Sequence, residues 1–328
     1  MTEQWTSEVP AQRTPPDEGP ALRTPRLSIG LPVYNGERYL AEALSGLLGQ
    51  SFGDFELIVS DNASTDATEE ICRAAAARDR RVRYVRQARN IGLAGNHNAV
   101  FDLARGELFK WAADDDVYDP ELLARCVAAL DDTPDAVLAH CFTTILDETT
   151  GETTRLAYPL ASTAPRVADR FRSLLWDDGG DDDYGVIRSE VLRRVRPYDS
   201  YYNADRTFVA ELALHGAFVQ VPEWLYVRRE HEARSSRGRH DIRSWCATYD
   251  ERRADRWRHP VIRLLAEYPW GYIRAIHSAP LRWREKVACY GHLAGWLVRR
   301  TVRSATRGVG ALASTSHPSW PHRAITPR

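Results

Sequence analysis

The stretch LFKWAADDDVYDP, residues 108–120, decides how we interpret the fold. A short, mostly apolar run is followed by three consecutive aspartates, Asp114, Asp115 and Asp116. An apolar run that ends in acidic residues is typical of a buried parallel strand whose carboxyl end opens at a sheet edge, where α/β proteins bind ligands. Adjacent carboxylates repel one another unless a cation lies among them, and their hard oxygens suit Mg²⁺ or Mn²⁺. The run predicts a metal site; the alternative is a solvated turn and helix cap before Glu121.

Composition is ordinary for a globular chain with a large core. Of 328 residues, 43% are hydrophobic and 27% are charged. The formal net charge of −1 gives no general reason to expect nucleic acid as a partner, and we predict none. The five cysteines lack CxxC spacing, so reduced thiols and a cytoplasmic location are the simplest expectation. No window has the eighteen or so apolar residues of a membrane-spanning helix.

Strand-like and helix-like segments alternate on both sides of this stretch. Strands separated by helices of about ten residues predict βαβ units, and therefore an α/β fold with a mostly parallel, Rossmann-like sheet flanked by helices. The predicted strands of the first half are Leu27–Asn35, Phe55–Ser60, Val82–Val85 and Leu108–Trp111, and the helices between them cover about 37–49, 68–77 and 92–103.

Four motifs occur in a fixed order in this half. PVYNGERYL (32–40), LIVSDNASTD (57–66) and RNIGLAGNHN (89–98) precede the Asp-rich turn and its proline. Together they resemble the nucleotide-sugar-binding half of the inverting family two glycosyltransferases, which have the GT-A fold. The resemblance covers Leu27 to Leu123 and extends to about Ser236. It implies a nucleotide-sugar donor, with UDP- or dTDP-sugars favoured, and a sugar, glycan or small-molecule acceptor.

The resemblance also implies a set of donor-binding residues. A nucleoside pocket after the first strand would be lined by Pro32, Tyr34, Asn35 and Glu37, and Asp61 would accept a hydrogen bond from the base. Asn90 and Gly92 would form a loop beneath the nucleotide, with Gly92 permitting close backbone approach. Each has a structural alternative, because Asn35-Gly36 is a common turn pair and Asp61 could cap a helix.

The acidic turn departs from the family's D-x-D-D pattern, because Ala113 stands where the first aspartate is expected. Asp115 and Asp116 resemble the metal ligand and its ribose-facing neighbour, and which of the two does which stays open. Asp114 is assigned to nucleotide-sugar binding. The segment after residue 228 resembles the family's Arg-x-His element: Arg229 and Arg234 would bind diphosphate oxygens, and His231 would complete the Mn²⁺ or Mg²⁺ shell or bond the diphosphate. A solvated basic loop is the alternative there.

One more carboxylate is needed for inverting transfer, because a base must deprotonate the acceptor while the diphosphate leaves from the other face. Asp205, which begins a predicted helix over 203–216, resembles the family's catalytic base. Its alternative role is an N-cap. Two other functions stay open: a nucleotide-sugar-binding protein without transferase activity, and a nucleotidyltransferase, although PVYNGERYL lacks the Gly-rich, basic first loop of that class.

We expect five segments along the chain. Residues 1–26 are a disordered leader, 27–125 the nucleotide-sugar-binding half, 126–239 the acceptor and catalytic half of the same GT-A domain, 240–312 a helical C-terminal extension and 313–328 a disordered tail. The extension is basic and amphipathic. It therefore suits packing on the main domain, peripheral contact with a membrane, or a homo-oligomer interface, and packing is the default expectation.

Overall fold

The computed structural model of the protein describes residues 24–156, 161–176, 182–232, 234 and 241–306. Apart from residues 24–26, the predicted leader lies outside the described residues, and so does the predicted tail. Most of a second acidic run, 177–183, also lies outside them.

One sheet forms the centre of the described chain. Its strands are β1 (Leu27–Val33), β2 (Phe55–Asp61), β3 (Val82–Arg86), β4 (Leu108–Trp111), β5 (Val117–Tyr118), β6 (Ala136–Asp147), β7 (Thr153–Leu156), β8 (Val186–Arg188) and β9 (Ala217–Glu230). Their order is β3-β2-β1-β4-β8-β6-β9-β5, and β7 pairs with β6.

The first half of the sheet is parallel, as the alternation predicts. β1 pairs in parallel with β2 and β4, and β2 pairs in parallel with β3. The three-residue strand β8 is antiparallel to both β4 and β6, and it joins this half to the long parallel pair β6–β9. The strand–helix alternation is thus confirmed, while the sheet becomes mixed where β8 enters it.

Ten helices lie on the sheet or follow it in the described chain. They are α1 (Leu40–Leu48), α2 (Thr68–Arg78), α3 (Gly92–Asp102), α4 (Leu122–Asp132), α5 (Val167–Trp176), α6 (Ser189–Leu192), α7 (Ala204–His215), α8 (Ile242–Tyr249), α9 (Val261–Ser278) and α10 (Trp283–Thr306).

Close packing between α3 and the sheet fixes one wall of the later site. A Cβ added to Gly30 in β1 would lie 2.7 Å from both Phe109 Cζ and Val100 Cγ2. Real Cβ atoms do not approach carbon atoms so closely, so the absent side chain lets α3 sit directly on β1 and β4. The start of α3 is thereby held beside the carboxyl ends of these strands.

The C-terminal helices share the main core. Tyr272 of α9 is fully buried, and its ring makes an edge contact with Phe171 of α5 at a centroid distance of 6.0 Å. Tyr268 of α9 meets Trp296 of α10 at 5.7 Å. The predicted helical extension therefore packs on the main domain. None of the described helices has both the length and the apolar character needed to cross a membrane.

Candidate functional site

A cavity of about 420 Å³ opens where β1, β2 and β4 end. Its volume is within the range typical of small-molecule sites. Eight of the predicted site residues line it: Pro32, Tyr34, Asn35, Asn90, Asp114, Asp115, His231 and Arg234. Six others are not among its lining residues: Glu37, Asp61, Gly92, Asp116, Asp205 and Arg229.

The turn after β1 is tied to the loop after β2. Asn35 has left-handed backbone geometry with φ of 53°. Its Oδ1 accepts a hydrogen bond from the Thr65 amide at 2.9 Å, and its own amide donates to Ser64 Oγ at 2.9 Å. Glu37 Oε2 accepts from the Ala67 amide at 3.0 Å. Glu37 therefore braces these two loops; it is not among the cavity-lining residues, although its neighbours Gly36 and Arg38 are.

Gly36 allows the acidic turn to approach the end of β1. A Cβ at this position would lie less than 3.0 Å from Asp114 Oδ2 and from Val33 Cγ2. Any larger residue would push the Asp114 carboxylate away, because that carboxylate is wedged against the turn. The absence of a side chain at Gly36 thus sets the position of one cavity carboxylate.

Asp61 is fully buried and already bonded within the protein. Its Oδ1 accepts from the Ser64 amide at 2.8 Å, and its Oδ2 accepts from Tyr84 Oη at 2.8 Å and from Arg86 Nη1 at 2.6 Å. Burial works to raise the pKa of Asp61, but hydrogen bonds from Ser64 and Tyr84 and the charge of Arg86 outweigh it and hold the pKa below its ordinary value. The Asp61 carboxylate therefore ties the end of β2 to the loop that follows it and to β3.

The loop before α3 is built around Asn62, which the sequence interpretation did not single out as a site residue. Asn62 Nδ2 donates to Asn90 Oδ1 at 2.9 Å, and Asn62 Oδ1 accepts from the Ile91 amide at 2.8 Å. Gly92 has φ of 79°, and a Cβ there would collide with the carbonyl oxygen of Tyr249. The absent side chain at Gly92 therefore allows a close backbone approach to the end of α8, and its predicted approach to a bound nucleotide stays a prediction.

Both carboxylate oxygens of Asp116 already accept hydrogen bonds from other residues of the protein. Its Oδ1 accepts from the Arg229 amide at 2.9 Å and from Arg234 Nη1 at 3.1 Å, and its Oδ2 accepts from the Tyr226 hydroxyl. The residue is 1% exposed. Its carboxylate therefore joins the acidic turn to β9 and the segment after it.

Asp114 and Asp115 face the cavity with an incomplete set of countercharges. Asp115 Oδ2 lies 3.0 Å from His231 Nε2 and 3.6 Å from Arg234 Nη1. Burial, together with the negative charge of Asp115, raises the pKa of Asp114 to about 8. Close carboxylates in this environment favour binding of a cation from solution.

Asp115 and His231 carry donor atoms of the kinds that bind divalent cations, and their side chains are in hydrogen-bond contact, with Asp115 Oδ2 3.0 Å from His231 Nε2. Carboxylate oxygen and imidazole nitrogen are both suitable for Mn²⁺. Among the described residues, no group of three or more His, Cys, Asp and Glu side chains is already arranged around one metal position.

The two predicted arginines have different surroundings. Arg229 lies over the ring of Tyr39 at 4.8 Å, pairs with Glu42 at 2.7 Å and donates to the Asp115 carbonyl at 3.0 Å. Its guanidinium is thus already bound to the protein. Arg234 lines the cavity and is paired with Asp115 and Asp116. Only Arg234 of these two reaches the space in which a diphosphate would bind.

Asp205 lies in the first turn of α7, as predicted, and is half-buried. It does not line the cavity, but its charge adds to the effect of burial in raising the pKa of Tyr198 and Tyr249. These two rings are stacked with a centroid distance of 6.4 Å, and Tyr198 lies 5.3 Å from the ring of His97, which does line the cavity. Tyr198 therefore connects the surroundings of Asp205 to the cavity wall.

Further cavity residues come from other segments of the chain. Thr248 comes from α8 in the C-terminal extension, and Tyr184 follows the second acidic run. Lys110 holds Tyr184 in place: its Nζ donates to the Tyr184 carbonyl, and the ammonium lies 5.7 Å from the ring centroid of Tyr118. His97, from the RNIGLAGNHN motif, also lines the cavity. These residues come from distant parts of the chain, so only the folded structure shows that they meet.

Comparisons of fold and family agree with this architecture. Residues 28–198 match the sequence profile described as Glycosyl transferase family 2. Residues 1–349 of Staphylococcus aureus TarS, solved with UDP, align with a TM-score of 0.61 at 18% identity, covering 88% of this chain and 76% of that one. A mannosyltransferase from Pyrobaculum calidifontis, PcManGT, solved with GDP-Man and Mn²⁺, aligns with a TM-score of 0.50 at 19% identity, covering 91% and 83%. At such identities the likeness establishes the fold.

Curated relatives match over shorter stretches. The GalNAc(5)-diNAcBac-PP-undecaprenol β-1,3-glucosyltransferase of Campylobacter jejuni is 34% identical over 128 residues, which is 39% of this chain and 40% of that enzyme. Glycosyltransferase GlyG of Streptococcus pneumoniae is 33% identical over 97 residues, covering 30% and 32%. The chain thus spans less than half of the length of these relatives. Since the family profile covers more than half of the 328 residues, the chain belongs to glycosyl transferase family 2 and has the GT-A fold.

Proposed function

We propose that the protein is an inverting glycosyltransferase that moves a sugar from a UDP- or dTDP-sugar to a hydroxyl or amine of a sugar, glycan or small-molecule acceptor. The observation that carries the proposal is the convergence of Asp114, Asp115, His231 and Arg234 at one cavity. Carboxylates, an imidazole and a guanidinium in one cleft provide what a nucleoside diphosphate and its cation need.

The nucleoside would bind against the turn after β1 and the start of α3. Tyr34, Asn35 and Asn90 present an aromatic ring and amide groups there, beside Asn62. Arg234 would pair with diphosphate oxygens, exchanging its contacts with Asp115 and Asp116 for them. The nucleotides bound by TarS and PcManGT, UDP and GDP-Man, support a donor of this class.

Mn²⁺ or Mg²⁺ would be held by Asp115 and His231. The cation would neutralise negative charge on the departing diphosphate. In this proposal Asp115 is the principal metal ligand, and Asp116 keeps a supporting role because its oxygens are bonded to Tyr226, Arg229 and Arg234. Gly36 and Val33 hold Asp114 against the same space.

Transfer would be a single displacement. The acceptor oxygen or nitrogen forms a bond to the anomeric carbon, the bond from that carbon to the diphosphate oxygen breaks, and Asp205 takes the acceptor proton. The sugar then has the opposite anomeric configuration in the product. Asp205 lies beyond Tyr198 and not in the donor cavity itself, so in this proposal the acceptor would bind on the α7 side of the site.

Donor binding and catalysis can be tested separately. Thermal shifts of the full chain with UDP, dTDP and GDP, each with and without Mn²⁺, should show a rise in midpoint for a uridine or thymidine diphosphate that is larger with the metal. Asp205→Asn should keep this shift while losing about a thousandfold or more of the transfer rate. Asp169→Asn is the matched control, because Asp169 also lies in the first turn of a helix, α5, and is exposed.

The outcomes distinguish the alternatives. Full transfer activity in Asp205→Asn would refute the assigned base while leaving donor binding intact. Donor binding with no transfer to any acceptor in a broad panel would favour the nucleotide-sugar-binding protein. Retention of the donor's anomeric configuration, determined by NMR of the product, would contradict the single displacement.

A further inference from the structure

Helix α9 is apolar on two sides. One side carries Leu264, Tyr268 and Tyr272, which are buried against the main domain. The other side carries Val261, Ile262, Leu265 and Trp270, which are 48%, 75%, 50% and 54% exposed. We call these four residues the outer face of α9. Ile262, the exposed Ala266 and Trp270 are spaced four residues apart, and so are Val261 and Leu265 beside them, so the exposed residues form two adjacent rows on one side of the helix.

Apart from His277 and Ser278 in its last turn, the charged and polar residues of α9 form a narrow band. Arg263, Glu267 and Arg274 follow one another at helical spacing between the two apolar sides. A helix that is apolar on nearly all of its circumference is normally buried on nearly all of it. Within residues 24–156, 161–176, 182–232, 234 and 241–306, between 48% and 75% of each outer-face side chain stays exposed, so these side chains are available to a partner.

Neighbouring segments add exposed tryptophan and basic residues. Trp257, in the turn before α9, is 95% exposed, and Trp283 at the start of α10 is 70% exposed. Lys286 of α10 donates to the His277 carbonyl at 2.6 Å, which ties the start of α10 to the end of α9. Residues 251–300 contain eleven Arg and Lys but only four Asp and Glu, whereas the whole chain has a net charge of −1. This region is therefore a cationic surface with exposed indoles.

The positive charge of this region distinguishes between two partners that could cover the outer face, a second copy of the chain and an anionic lipid bilayer. A two-fold contact with a second copy would bring this surface, with its excess of arginine and lysine, to both sides of the interface. Such like-charge contacts are unfavourable. An anionic bilayer offers the opposite charge, together with an interfacial zone in which tryptophan is favoured and arginine stems can extend towards phosphate groups.

We propose that the outer face of α9 binds peripherally to an anionic lipid bilayer, with Ile262, Leu265 and Trp270 entering the interface and Arg256, Arg258 and Arg263 contacting lipid phosphates. The buried side of the helix keeps its packing on the main domain. This inference is independent of the proposed transfer reaction, since it uses no residue of the donor cavity.

Flotation of the full chain with vesicles tests the proposal. Vesicles of phosphatidylglycerol and phosphatidylcholine in equal parts should carry the protein upwards, and pure phosphatidylcholine vesicles should carry much less. Ile262→Ser/Leu265→Ser should lower the partition coefficient at least about tenfold, because each buried aliphatic side chain contributes about that much. Arg256→Gln/Arg258→Gln should lower it by a similar factor on the anionic vesicles, with little change on neutral ones.

Matched controls lie elsewhere on the surface. Trp224→Ser removes an indole that is 37% exposed on β9, and Arg194→Gln removes an exposed arginine next to α6. Both should bind vesicles like the unmodified protein. Thermal midpoints should be unchanged in the α9 variants, because the replaced side chains are exposed.

Two results would overturn the proposal. One is equal vesicle binding by the α9 variants and the unmodified protein. The other is absence of vesicle binding together with a dimer, seen by light scattering, that Ile262→Ser/Leu265→Ser dissociates; a second copy would then be the occupant of the outer face.

Discussion

His231 Nε2 lies 3.0 Å from Asp115 Oδ2, although the two residues are 116 positions apart in the chain. Asp115 lies in the turn between β4 and β5, and His231 follows directly after β9. The contact therefore joins the acidic turn to the end of the last long strand of the sheet. It also brings together two side chains whose donor atoms suit one cation, which gives the acidic run a more specific interpretation than the sequence allows.

Asp115→Asn should mainly weaken metal binding, whereas Asp116→Asn should mainly lower the stability of the fold. Asp115→Asn should weaken Mn²⁺ binding, measured by isothermal titration in the presence of UDP, by at least about a hundredfold. It should leave the thermal midpoint nearly unchanged, since Asp115 faces the cavity. Asp116→Asn should cost about 3 kcal/mol of unfolding free energy, because it removes the buried countercharge of Arg234.

Thermal and chemical unfolding of both variants provides the check. If Asp116→Asn unfolded like the unmodified protein and lost the metal, while Asp115→Asn kept it, the two roles would have to be exchanged.

Gly36→Ala should disturb the donor site with little effect elsewhere. The new methyl group would lie less than 3.0 Å from Asp114 Oδ2, so the carboxylate or the turn has to move. Overpacking of this kind costs about 1–3 kcal/mol, and we expect the affinity for UDP with Mn²⁺ to fall about tenfold or more. Gly53→Ala is the control, because a Cβ at Gly53 meets nothing within 4 Å. Equal affinities in the two variants would show that Asp114 does not need its present position.

Local patterns were enough to predict much of the first half of the fold. Leu27–Val33 and Phe55–Asp61 are fully or almost fully buried strands, and their apolar runs can be recognised without a partner. Helix α1 begins at Leu40 and not at residue 37, because the amides of Tyr39 and Leu40 first bond to the Gly36 carbonyl in a turn. The exact ends of a helix depend on a few hydrogen bonds, and the hydrophobic periodicity of the sequence does not reveal them.

Contacts between distant segments could not be predicted. The two-residue strand β5 exists through its pairing with β9, and the role of Asp116 depends on Tyr226, which is 110 residues away. Residues 217–230 form one strand, β9, although Pro222 lies within it, and its register with β6 shifts near Phe142. Thr248 carried no local sign of a place in the cavity. These features arise from the tertiary fold and have no signature in a short window of sequence.

Asp61→Asn should be strongly destabilising at neutral pH, by about 3 kcal/mol, because Asp61 is fully buried and accepts from Ser64, Tyr84 and Arg86. The folded-state pKa of Asp61 lies below its ordinary value of 3.8. Its contribution is therefore present above that value and is lost as the pH falls through the folded-state pKa. Urea unfolding across acidic pH should show the variant and the unmodified protein converging at low pH.

A gap between these two proteins that did not narrow in acid would mean that the lost stability comes from packing and not from the charge of Asp61. Arg73→Gln is a suitable control, because Arg73 lies over the ring of Tyr84 without bonding to Asp61.

His97 should make the folded protein sensitive to mild acid. Burial lowers its pKa from 6.5 to about 4, although its Nδ1 contacts the Leu93 carbonyl at 3.0 Å. Between these two pH values the unfolded chain binds a proton that the folded protein does not, so stability falls as the pH drops through this window. The loss should be about 1 kcal/mol per pH unit for this residue.

His97→Gln removes the ionisable group and keeps a donor for the Leu93 carbonyl. Its unfolding free energy, measured in urea at several pH values from 7 to 4, should decline less steeply than that of the unmodified protein. His277→Gln, at the exposed end of α9, is the control and should leave the steeper slope in place. Identical slopes in His97→Gln and the unmodified protein would mean that His97 takes up its proton as readily in the folded chain as in the unfolded one, which would require water to reach its ring from the donor cavity.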